Sequence, residues 1–117
     1  MDSIDKLLNS LSKSKFRGSF HLNKKMIDYV NDKGIDKIEK DTKDIVTQRL
    51  KVKLPNDGKQ TPMKQVHPTF IGMHATGCCC RGCLKRIHHI DDKHDLTDDE
   101  INYITDVIIR WIKREIQ

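Results

Sequence analysis

The sequence predicts an all-α protein, built as one small helical domain with a long central loop and a Cys/His cluster. Two observations predict it. Apolar residues recur at spacings of three and four in several separate stretches, and residues that start and stop helices flank those stretches. At 117 residues, with 36% hydrophobic and 33% charged residues, the chain suits a single domain over residues 1–117 with a modest core. A bound metal would supply stability that such a core lacks.

Ile4, Leu7, Leu8 and Leu11 form one short helical stripe, so residues 1–13 are read as a short N-terminal arm or docking helix. Lys13, Lys15 and Arg17 then interleave with Phe16 and Phe20 around Gly18. Such a mix can bind phosphates and stack bases, but the favoured reading is that Phe16 and Phe20 anchor the arm in the core. Asn23 is placed to cap a helix to Lys33, with Met26, Ile27 and Val30 inward and Gly34 ending it. A second helix from Asp36 to about Leu50 carries Ile38, Ile45, Val46 and Leu50, with Ile35 as a staple.

From Lys51 to Phe70 the helical period disappears and Pro55, Pro62 and Pro68 punctuate the chain. Loops this long in a small domain are functional or disordered. Asp57, Lys59, Gln60 and Thr61 are the polar groups this loop offers a ligand, around an Asn56-Asp57-Gly58 turn signal. Phe70, Ile71 and Met73 lead, buried, into the cysteine cluster. Thr97 and Glu100 then form a capping box for a final helix whose stripe is Ile101, Ile104, Val107, Ile108, Trp111, Ile112 and Ile116. This helix is predicted to be the core element, with Trp111 packing.

The stretch from Met73 to His89 holds all four cysteines and three of the six histidines. Cys80, Cys83 and His88 match the first three ligands of a zinc-knuckle spacing, but the fourth position is Lys93. On a helix turning about 100° per residue, Cys79, Cys83 and Cys80 span an arc of roughly 100°, while His88 falls about 140° from Cys83. Three thiols therefore face one point, with a fourth ligand from His67, His74 or His88. Zinc is the predicted ion. An iron-sulfur cluster fits less well because the cysteines are adjacent. Buried inert thiols are the remaining reading.

The net charge of +5 lies in residues 1–59, with 14 Lys+Arg against 9 Asp+Glu, whereas residues 60–117 carry 8 of each. A basic half attracts polyanions, and nucleic acid is the preferred partner; a solvated lysine-rich surface is the alternative. The N-terminal residues do not resemble a secretory signal, and no run approaches the roughly 18 apolar residues of a membrane span. The chain is therefore expected to be cytoplasmic, where thiols stay reduced and clustered cysteines favour metal or chemistry over structural disulfides.

The segments Ser14-Lys15-Phe16-Arg17, Asn56-Asp57-Gly58-Lys59-Gln60-Thr61-Pro62-Met63, His67-Pro68, His74-Ala75-Thr76 and Cys79-Cys80-Arg81-Gly82-Cys83-Leu84 with His88 together resemble a small, mainly bacterial family. It is catalogued only as a domain of unknown function. The resemblance spans nearly the whole chain after residue 13. It implies that Cys79, Cys80, Cys83, His67, His74 and His88 are shared, and that Cys78 and His94 are additions. It also implies packing at Ile87, where the family has Trp, and a spatial meeting of the loop motif with the cysteine motif. No activity comes with it. The expected function is a metal-stabilised binding module. The alternatives are a small metal-dependent hydrolase of nuclease type, with His67 or His74 shuttling protons, and a thiol redox sensor using Cys80 and Cys83.

Overall fold

The computed structural model describes residues 2–117, and its elements are six α-helices: α1 (Ser3–Ser12), α2 (Lys24–Lys33), α3 (Ile35–Leu50), α4 (Pro68–Ala75), α5 (Arg81–His88) and α6 (Asp98–Glu115), with one 3₁₀ turn at Arg17–Ser19. No strand occurs among the described residues. Helix α6 is central: Ile101, Ile104, Val107, Ile108, Ile109 and Ile112 are buried along it. It packs most extensively on α3, whose Ile38, Val46 and Leu50 are buried in the same core cluster, and on α4. Each such side chain removed from water contributes roughly 1.5–3 kcal/mol. Trp111 packs against the same cluster.

The expected caps are present. Asn23 Oδ1 accepts from Met26 N at 2.9 Å. Thr97 Oγ1 accepts from Glu100 N at 3.1 Å while Glu100 Oε1 accepts from Thr97 N at 2.9 Å. Gly34, at φ +87°, makes the turn between α2 and α3 that an L side chain would strain. The N-terminal segment is helical, and Arg114 ties it to α6 through Asn9 Oδ1 at 2.8 Å and Asp5 Oδ1 at 3.2 Å.

Two elements differ from expectation. Helix α4 falls partly in the predicted loop and in the lead-in to the cysteines; all eight of its residues are buried, so it has no polar face and no amphipathic period to betray it. His67 caps it, its Nδ1 accepting from Thr69 N at 3.1 Å, and Pro68 fills a first-turn position where a missing N–H costs nothing. Helix α5 begins at Arg81 rather than just after Gly77. Gly77 turns at φ +72°, and Cys80 is extended at φ −159°, serving as the N-cap with Sγ accepting from Cys83 N at 3.3 Å. Phe16 is also not an anchor: it is 53% exposed, whereas Phe20 packs against the core and stacks on His74, ring centroids 5.4 Å apart.

Candidate metal centre

The sulfurs of Cys79, Cys80 and Cys83 lie within 4.8 Å of one another. They converge by an unexpected route. Cys79 sits in the bend before α5, Cys80 caps that helix and Cys83 lies in its first turn. Cys80 and Cys83 are buried and Cys79 is partly so. No disulfide joins them.

The loop holds the cluster in place. Asp57 Oδ1 accepts from Arg81 N at 2.9 Å and Oδ2 from Gly82 N at 3.1 Å, so a carboxylate satisfies the first N–H groups of α5. Burial works against the charge of Asp57, but hydrogen bonds from Gln60 and from those two N–H groups outweigh it and hold its pKa below the ordinary value. Thr61 Oγ1 donates to Cys79 O at 2.8 Å. Gln60 Oε1 accepts from Gly58 N at 2.7 Å, and Arg49 donates to the Gln60 carbonyl. Lys59 is exposed. The loop motif and the cysteine motif thus meet in space.

Arginines supply what the sequence pattern did not show. Arg81 is 0% exposed. Its Nη1 donates to Leu50 O at 3.1 Å and Lys51 O at 3.0 Å, its Nη2 to Asp91 O and His94 O, each at 2.8 Å. It ties the end of α3 to the loop after α5. Arg17, read from sequence as a nucleic-acid contact beside Lys13 and Lys15, turns inward. Its Nη1 donates to His74 O at 2.7 Å and to Cys79 Sγ at 3.5 Å, and its Nη2 to Cys83 Sγ at 3.3 Å. Lys13 and Lys15 are exposed. Arg86 Nη2 also donates to Cys83 Sγ, at 3.3 Å. One signal for Arg86 was legible, its position three residues after Cys83 on one helix face.

These contacts divide the thiols. Cys79 donates to Cys83 at 3.6 Å. That bond, with Cys80 and Arg17, holds the Cys83 thiol well below its ordinary pKa, while donation to Cys83 and then burial push Cys79 up. Burial pushes Cys80 up as well. Of the three thiols, Cys83 is the one whose charged form its surroundings favour, and two guanidinium groups donate to it.

The histidines lie around this group rather than inside it. His67 Nε2 is 3.5 Å from Asp41 Oδ2, and its ring meets Tyr29 and Phe70, on the α2–α3 side. His74 Nε2 donates to Thr61 O at 3.1 Å, since a carbonyl only accepts. By the same reasoning His88 Nε2 donates to Thr76 O at 2.8 Å, and its Nδ1 accepts from Tyr103 Oη at 2.9 Å. Cys78, buried with Sγ 3.4 Å from His88 Nε2, faces an N–H and gains no base; burial pushes it up to about 12. His94 pairs with Glu100 at 2.9 Å, away from the thiols.

Fold and site define a small all-helical protein with a buried three-thiol cluster able to hold a metal ion. The chain belongs to the family described as domain of unknown function DUF4186, which matches residues 5–113. No solved structure matches it. No helix among the described residues is long and apolar enough to cross a membrane.

Proposed function

We propose that the protein is a metal-stabilised binding module in which Cys79, Cys80 and Cys83 hold a divalent ion, zinc foremost, and the basic arm contacts nucleic acid. The observation that carries the reading is the convergence of three sulfurs within 4.8 Å. Tetrahedral zinc, with bonds of about 2.3 Å, sets its sulfurs about 3.8 Å apart; Cys79 and Cys83 are 3.6 Å apart without it. Three thiolates around a divalent ion carry one net negative charge, and Arg17 and Arg86 donate to those sulfurs. Hydrogen bonds to ligand atoms of this kind tune and orient a metal site. Asp57 and Thr61 brace the backbone of the segment, so the ion would clamp the loop to α5.

The nucleic-acid part rests on exposure and charge. Lys13 and Lys15 are exposed beside Phe16, whose ring lies 5.2 Å from the Arg17 guanidinium. An exposed ring flanked by cations suits single-stranded nucleic acid. Titration with a labelled single-stranded oligonucleotide between about 50 and 200 mM salt tests it, since each phosphate contact contributes about 0.7 to the salt slope. The double variant Lys13→Ala, Lys15→Ala is expected to lower that slope by about 1.4. Affinity independent of salt, or a slope unchanged in the variant, refutes this part.

One observation favours a second reading, thiol redox sensing: Cys79 donates to Cys83 at 3.6 Å, and that contact, with Arg17, favours the charged form of Cys83. Peptide mapping after mild peroxide decides it. A reversible Cys79–Cys83 disulfide in protein shown to be metal-free supports the reading, and four thiols that stay free remove it.

A further inference from the structure

We infer that Arg17 is a positioning residue, through which an ion held by Cys79, Cys80 and Cys83 fixes the basic segment 13–19 against the core. The inference rests on the metal reading above and adds a regulation to it, because this segment presents Lys13, Lys15 and Phe16 to solvent.

Connectivity makes Arg17 the tether. The backbone of residues 13–19 turns locally: Lys13 N donates to Ser10 O at 3.2 Å, Ser14 N to Leu11 O at 3.0 Å and Gly18 N to Ser14 O at 2.8 Å. Among the hydrogen bonds found for the segment, only those of the Arg17 side chain reach residues distant in sequence: His74 O at 2.7 Å, Cys79 Sγ at 3.5 Å and Cys83 Sγ at 3.3 Å. The turn that aims this side chain is tight, since Ser14 Oγ accepts from Arg17 N at 3.2 Å and a Cβ at Gly18 would run into Ser12 O. Both flanks are held by other means. Arg114 ties down α1 through Asn9 and Asp5, and on the far side Leu22 is buried and Gln65 bonds His21 O and Asn23 N. The segment is thus a bridge between two fixed ends, gripped in its middle by one guanidinium.

Two of the three acceptors of that guanidinium are sulfurs of the candidate centre. In the metal-free protein the thiols are bonded to each other as well, Cys79 donating to Cys83 at 3.6 Å. Zinc holds its cysteine ligands as thiolates, which have no S–H to donate. The bond between the two thiols is then given up, both sulfurs are pinned in one arrangement, and each offers a charged acceptor to Arg17. The His74 carbonyl accepts in either state, so the ion tightens the grip on the segment rather than creating it. Arg86 donates to the same Cys83 but lies three residues away on α5, so it ties no distant segment to the centre. Linkage requires the reverse effect as well: if the ion favours the docked segment, the docked segment favours the ion by the same factor.

The test measures amide hydrogen exchange at residues 14–19 and in α5 of the full chain, with and without one equivalent of zinc, together with zinc affinity. In the parent, zinc should slow exchange in both regions, by about tenfold at 14–19, within the roughly 5- to 150-fold usual for coupled sites. In Arg17→Gln it should still slow α5, which carries Cys83, but leave 14–19 unchanged, and zinc should bind about tenfold more weakly. Should Arg17→Gln fail to fold, Arg17→Lys carries the comparison: an ammonium cannot span the carbonyl and two sulfurs as the fork does, so zinc should slow 14–19 less than in the parent. Slowing at 14–19 that is absent from the parent while α5 responds, or that is as large in the variant as in the parent, overturns the inference and leaves the metal site standing. Failure of the parent to take up zinc removes both.

Discussion

Replacing Arg81 with Leu tests how the fold presents the cysteines. The side chain is 0% exposed and donates to four carbonyls, those of Leu50, Lys51, Asp91 and His94, at 2.8–3.1 Å. Hydrogen bonds with one charged partner contribute about 1.5–3 kcal/mol each, so four contribute about 6–12 kcal/mol before desolvation is counted. Burying the guanidinium costs several kcal/mol. The net loss expected for Arg81→Leu is about 3–5 kcal/mol, because leaving up to four buried carbonyls unpaired at about 1–3 kcal/mol each outweighs the desolvation cost that is relieved. Against a total of about 6–18 kcal/mol for a chain of this length, that is a large share. In urea, with a slope near 1.5 kcal/mol/M, the midpoint should fall by about 2–3 M. Arg81→Lys should lie between the two, because an ammonium cannot reach carbonyls on both sides as a fork does. A loss below about 1 kcal/mol at unchanged slope would show that Arg81 is not the clamp described.

Gly72→Ala should cost a net of about 0–2 kcal/mol, because overpacking of about 1–3 kcal/mol against Ile108 Cγ2, 3.0 Å from the added Cβ, and Trp111 Cε3, 3.2 Å from it, is offset by about 1 kcal/mol of helix propensity; a thermal midpoint raised by the full helix gain would contradict the close α4–α6 approach. Acid should weaken the fold in two stages. Burial holds His67 and His88 below the ordinary histidine value, with Asp41 only partly opposing it at His67. The unfolded chain therefore takes up these protons first, and stability is full above about pH 6.5 and falls as the pH drops below it. The carboxylate of Asp57, held low, adds a second loss below about pH 4. Urea midpoints at about pH 7.5, 5.5 and 3.5 check this, and a midpoint level from pH 7.5 to 5.5 would refute the histidine part.

Elements with one wet face were legible. Helix α6 showed its isoleucine stripe and capping box, and α2 and α3 showed their caps and the glycine between them. Helix α4 was hidden because burial on every side erases periodicity. The convergence of Cys79, Cys80 and Cys83 was anticipated, but from one continuous helix; the structure achieves it with a bend and an N-cap. Adjacent side chains in non-helical backbone have no spacing rule to read. The roles of Arg17 and Arg81 were illegible for a related reason. A cation in sequence looks solvated until its acceptors are known, and the acceptors lie 57 to 66 residues away for Arg17 and 10 to 31 for Arg81. Asp57 was noticed as a loop polar group, yet its task is to cap α5 from 24 residues upstream.

Cys79, Cys80 and Cys83 are proposed to hold a metal ion. Elemental analysis of protein purified without a metal-affinity tag, paired with thiol titration before and after a chelator, tests this most directly. The expected result is one equivalent of zinc, one freely titrating thiol at most under native conditions with the metal bound, and exposure of Cys79, Cys80 and Cys83 to reagent once it is removed. No metal in the purified protein, no uptake of added zinc and thiol reactivity indifferent to the chelator would contradict it.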